Sequence, residues 1–115
     1  MTNQETIDAL KREALAEPFV LLPNGLPLKM PTKLFVRVLR VEGLMVSIGF
    51  TFDLCPSMGL EVEHLSIQGF KMPVPDNVQR EVLRLAFGET GAGLAQRHDS
   101  PLGNTHQWLL IRRKL

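Results

Sequence analysis

The chain has one cysteine, Cys55, so no internal disulfide can form. Small secreted domains lean on disulfides, and a lone cysteine suits a reducing compartment. Charge of one sign is also lacking. Lys and Arg total 13 against 12 acidic residues, a formal net charge of +1, so no strong field draws in nucleic acid or an anionic membrane. No apolar run approaches the ~20 residues of a membrane span. The opening MTNQETIDALKREALAEP is charged and has no apolar core of the signal-peptide kind. These absences predict a cytoplasmic protein with no membrane partner. Internal repeats and low-complexity tracts are missing as well. His64, His98, Asp99, His106 and Cys55 are usable metal ligands. None form close pairs such as C-x2-C or H-x3-H, so neither a metal nor a cofactor is expected.

What is present is ordinary globular material. A chain of 115 residues with 44% hydrophobic and 22% charged residues reads as one domain, residues 1–115, large enough for a single core. Residues 3–16 read as a helix. Thr2 and Glu5 have the spacing of a capping box, and Ile7, Leu10, Ala14 and Leu15 make one apolar stripe. Asp8 and Arg12 stand one turn apart, acid first, the better orientation for an ion pair. Pro18 ends the element.

FVLL (19–22) is a short strand candidate, PNG (23–25) a turn, and the proline-bearing LPLKMP a loop or sheet edge. TKLFVRVLRVEGLMVSIGFTFDL is rich in Val, Ile, Phe and Thr, and Glu42-Gly43 divides it into a hairpin. Leu44, Val46, Ile48, Phe50 and Phe52 alternate with Met45, Ser47, Gly49, Thr51 and Asp53, giving one dry and one wetter face. After the turn CPSMG (55–59), VEHLSIQGF (62–70) points Leu65 and Ile67 one way and His64, Ser66 and Gln68 the other. A second helix is expected at about 77–87, with Asp76 as N-cap, Gln79 three residues on, and Gly88 just past its end. The glycine-rich connection that follows has room for a helical turn near 92–97. The last strand, HQWLLIRRK, is read with Leu109 and Ile111 inward and His106, Trp108, Leu110 and Arg112 outward. Together these elements predict an α+β fold: an antiparallel sheet of four or five strands with two helices packed on one face.

On that reading the outer sheet face carries His64, Ser66, His106 and Trp108, with Ser47, Thr51 and Asp53 nearby. Two converging histidines can exchange a proton while Ser66 holds a substrate oxygen, so His64, Ser66 and His106 form the candidate catalytic set if the protein is an enzyme. Trp108, Ser47 and Thr51 form a candidate binding surface, with Trp108 as the large apolar anchor. Arg80 and Arg84, one turn apart on the second helix, and the tail Arg112-Arg113-Lys114 are the candidates for phosphate contact, joined by Arg37 and Arg40. Cys55 lacks a local nucleophile signature. GETGAG lacks the Lys-Ser/Thr of a phosphate loop and reads as a turn.

His64-Leu65-Ser66-Ile67 resembles one H-x-[ST]-x motif of the two-histidine phosphoesterases, which implies a phosphodiester substrate. His106-Gln107-Trp108-Leu109 departs from it, with Trp in place of the hydroxyl residue. Residues 63–110, with EHLSI, the Pro-led helix ending in Phe87-Gly88, QRH and the closing H-x-W, are similar to a small bacterial and prophage family, a domain of unknown function. That resemblance implies a phage- or mobile-element-linked origin and no catalytic residues. The leading expectation is a non-enzymatic interaction module that binds an unknown protein partner or itself. A phosphodiesterase-like enzyme and a nucleic-acid-binding protein are the alternatives.

Overall fold

A computed structural model of the chain describes residues 1–16, 20–21, 23, 27–28, 35–55, 59–98 and 103–113. The first helix, α1 (Asn3–Leu15), begins at the expected capping box: Thr2 Oγ1 accepts the Glu5 N–H at 3.1 Å and Glu5 Oε1 accepts the Thr2 N–H at 3.2 Å. Ile7, Leu10 and Ala14 are buried. Leu15 lies off their i, i+3, i+7 line and is exposed instead. The described partner of Asp8 is Gln4, whose Nε2 donates to it at 2.9 Å; the expected pairing with Arg12 does not appear.

Among the described residues, seven strands follow in two sheets. β1 (Val20–Leu21) and β2 (Pro27–Leu28) form a small antiparallel ladder. The main sheet holds β3 (Val36–Val41), β4 (Leu44–Cys55) and β5 (Leu60–Gly69). After α2 (Asp76–Leu94) come β6 (Gln96–Arg97) and β7 (Thr105–Arg113). Its order is β3-β4-β5-β7-β6, antiparallel throughout. Glu42 and Gly43 close the β3–β4 hairpin with positive φ of 50° and 81°, as a two-residue primed turn requires. Both helices contact the sheet and each other, which gives the expected α+β layering. Val46, Ile48, Phe50, Leu65 and Ile67 form the floor of one core beneath Ile7, Leu10, Val82 and Leu83. Each such side chain contributes roughly 1.5–3 kcal/mol by leaving water. No described helix is long and apolar enough to cross a membrane.

Strand β7 reverses the expected facing. His106 and Leu110 are buried, while Ile111 is exposed. The register pairs Trp108 with inward Leu65 and His106 with inward Ile67. Cross-strand partners share a face, so His106, Trp108, Leu110 and Arg112 lie on the helix side. Trp108-Leu109-Leu110-Ile111 is apolar at every position, and such a run leaves its facing undetermined by alternation. Polar satisfaction decides it: His106 Nε2 accepts the Val74 N–H at 2.9 Å, and Trp108 Nε1 donates to Gln79 Oε1 at 3.0 Å.

Helix α2 also departs from expectation at both ends. Pro75 holds the N-cap position without a side-chain hydrogen bond, and Asp76 is the first helical residue. Gln79, expected to complete a cap, is buried and donates to Val74 O at 2.8 Å. Gly88 interrupts the helix as expected (φ 76°, ψ 172°), yet the chain resumes helically to Leu94. The break strips the preceding turn of its own N–H donors. Side chains of α1 replace them: Gln4 Nε2 donates to Leu85 O at 2.7 Å and Lys11 Nζ to Ala86 O at 2.6 Å. Pro18, Asp99, Lys114, the Cys55 side chain and parts of the turns expected at 23–25 and 55–59 lie outside the described residues.

Candidate functional site

The outer face of the main sheet is built from alternate residues of four strands. Across it, Val38 stands beside Ser47 and Gln68. The next rungs pair Gly49 with Ser66 and Gln107, then Thr51 with His64 and Leu109. The sequence places Ser47, Thr51, His64 and Ser66 correctly on this face.

His64 and Ser66 open onto a depression of about 200 Å³, which Thr51, His98 and Gln107 also line. His98 arrives there because its N–H donates to Gln107 O at 2.8 Å, extending the pairing beyond β6. His64 Nε2 lies 2.8 Å from Asp53 Oδ2. A carboxylate only accepts, so a proton on Nε2 suits this contact. The structure therefore assembles an oriented imidazole, a second histidine and two hydroxyls at one place. Among the described residues no group of three or more His, Cys, Asp and Glu side chains could hold a metal.

His106 is not part of that place. Its ring is on the opposite side of the sheet, 3% exposed, and accepts a backbone N–H. The pairing of His64 with His106 is thus overturned: the strands are neighbours, but the two side chains leave the sheet in opposite directions. Trp108 is likewise inward, packed against the core, with the Arg97 guanidinium 5.9 Å from its ring centre. It stabilises the fold and cannot anchor a partner on the outer face.

Ser47 belongs to a second depression on the outer face, about 180 Å³, shared with Gln68, Gly69 and Phe70. A Cβ on Gly69 would sit 2.1 Å from Met72 O, so only glycine lets the chain fold back here and leave Phe70 at the rim. Met45 precedes Ser47 by two residues on β4, and Phe70 follows Gln68 by two, just past the end of β5. Val38 is 53% exposed, Met45 48% and Phe70 59%. Val38 pairs with Ser47, and Phe70 lines the same depression as Ser47 and Gln68.

Arg80 and Arg84 line a separate hollow beside the break in α2, with Leu83 and Glu89. Arg84 donates twice to Glu81. That hydrogen bond holds the Glu81 carboxyl below the usual carboxylate range and raises the Arg84 guanidinium. Arg112 is bonded to Glu63 at 2.8 Å, and Arg37 to Glu13 at 2.6 Å. Arg84, Arg112 and Arg37 are thus matched by acids within the fold.

Comparison with protein-family models, curated proteins and solved structures gave no match.

Residue reasoning missed the apolar set Val38, Met45 and Phe70 and the polar Gln107. Phe70 carried a readable signal, an aromatic beside Lys71 just past a strand end. Gln107 did not, because its facing depends on the register of β7.

Proposed function

We propose that the protein is a non-enzymatic interaction module whose contact surface is the outer sheet face at the β3–β4 hairpin end. One observation carries this reading: Val38, Met45 and Phe70 are each about half exposed, and Phe70 lines a depression shared with Ser47 and Gln68. Contiguous exposed apolar groups rimmed by polar residues mark contact sites more often than isolated ones do. The lone cysteine and balanced charge support a cytoplasmic setting. The test is photo-crosslinking from a benzoyl-phenylalanine placed at Phe70 or, as a control, at exposed Leu94 of α2, in cells making the chain at native level. Discrete protein adducts from position 70 and none from position 94 are the expected outcome. Equal labelling from both, or none from either, rejects the surface.

A second reading is favoured by the Asp53–His64 contact beside Ser66 and His98: a hydrolase using His64 as base. Cleavage of bis(p-nitrophenyl) phosphate that disappears in His64→Ala and survives Phe70→Ser supports it. Nucleic-acid binding has weaker support, because Arg84 and Arg112 are already bonded to acids; low-salt retention on heparin tests it.

A further inference from the structure

The apolar set on the outer face has a charged border. Arg40 projects outward from β3 beside Met45, its register partner. Lys71 follows Phe70 and is exposed. The nearest acid of the hairpin, Glu42, is drawn toward the helix side, where its Oε2 accepts from Asn77 at 2.9 Å. The hairpin end of the outer face therefore joins apolar side chains to Arg40, with exposed Lys71 following Phe70.

We propose that the partner seated there is an acidic protein segment carrying at least one large apolar side chain. This rests on the outer-face reading above and names its partner. The apolar side chain fills the Ser47–Gln68–Phe70 depression, whose 180 Å³ suits one large residue. Flanking carboxylates meet Arg40 and Lys71. A second copy of this chain is disfavoured, because a two-fold contact would set the same cations against each other. A bilayer is disfavoured too. The Ser47 hydroxyl and Gln68 amide line the depression; the backbone of a peptide can hydrogen-bond them, whereas lipid tails cannot. Complementary charge fixes which partner binds, and the apolar contact supplies the area.

The test is a random-peptide display selection on the immobilised full chain, counter-selected against Phe70→Asp. Phe70 is 59% exposed, and the variant's melting curve verifies that it folds. Survivors are expected to be rich in Asp and Glu with an aromatic or aliphatic residue among them. Their affinity should fall at least tenfold on Arg40→Glu/Lys71→Glu and stay unchanged on His64→Ala. Survivors without acidic excess overturn the proposal but leave the outer-face reading standing. No survivor that separates wild type from Phe70→Asp overturns the proposal, and with empty crosslinking it removes the outer-face reading as well. Two further outcomes overturn it: sedimentation with phosphatidylserine/phosphatidylcholine vesicles that Phe70→Asp abolishes, and a concentration-dependent dimer that the same variant disperses.

Discussion

His64 and His106 are one residue type on two paired strands, and their surroundings give them opposite roles. His106 satisfies the Val74 N–H inside the protein, and a buried backbone donor left without an acceptor costs about 1–3 kcal/mol. With the lost packing, His106→Ala should lower stability by about 2–3 kcal/mol, read as a lower urea midpoint at unchanged slope. His64→Ala removes a half-exposed contact to Asp53 and should cost less than ~1 kcal/mol by the same measurement. Equal losses at the two positions would contradict the assignment of faces. The sequence could not make this distinction. His106 and Val74 are 32 residues apart and Trp108 and Gln79 are 29 apart, so the bonds that choose the facing of β7 are invisible to local alternation. At β4 and β5 the same rule succeeded, because apolar and polar residues there alternate cleanly.

At the scale of elements, α2 is two helical pieces joined at Gly88, whose φ of 76° and ψ of 172° fall where side chains are nearly excluded. Gly88→Ala should destabilise by ~1–3 kcal/mol, although a Cβ there meets nothing within 4 Å; the cost is in the backbone. A thermal melt that moves by no more than an exposed helix-interior Gly→Ala change would refute the break. The stop at Gly88 was legible from the residue itself. The resumption to Leu94 was legible only as a turn placed too late, near 92–97, where Gln96–Arg97 is instead strand; its seat depends on Gly91 lying against the sheet. A Cβ there would approach Phe87 Cβ to 2.8 Å and Leu110 Cδ2 to 3.1 Å. The α1 boundary was legible because Thr2 and Glu5 form a local, self-contained signal.

At the scale of the whole molecule, Glu63 ties three elements together. It is buried and bonded to Lys11 of α1 at 3.3 Å and to Arg112 of β7 at 2.8 Å. Lys11 also sits 5.7 Å from the centre of the Phe50 ring and 6.0 Å from that of Phe87. Removing one partner of a buried pair strands the other charge. Glu63→Ala should therefore cost about 3 kcal/mol, the low end for such sites because Arg112 is half exposed. The loss should persist in ~0.5 M salt, where the exposed Arg37–Glu13 pair is screened; unfolding of Glu63→Ala and Glu13→Ala with and without salt measures both. The overall α+β arrangement was legible from periodicity, whereas this cluster was not, since residues 11, 63 and 112 share no local pattern. The capping of α2 by Gln4 and Lys11 bears on how the chain is made. Those bonds reach across 81 and 75 residues. On the ribosome, α1 emerges before α2, and these side chains have nothing to cap until α2 has been translated. Until then the growing polypeptide carries a helix with unfinished contacts, the stage at which a chaperone or a protease would find it. Helix α1 completes its place only after α2 has followed it out.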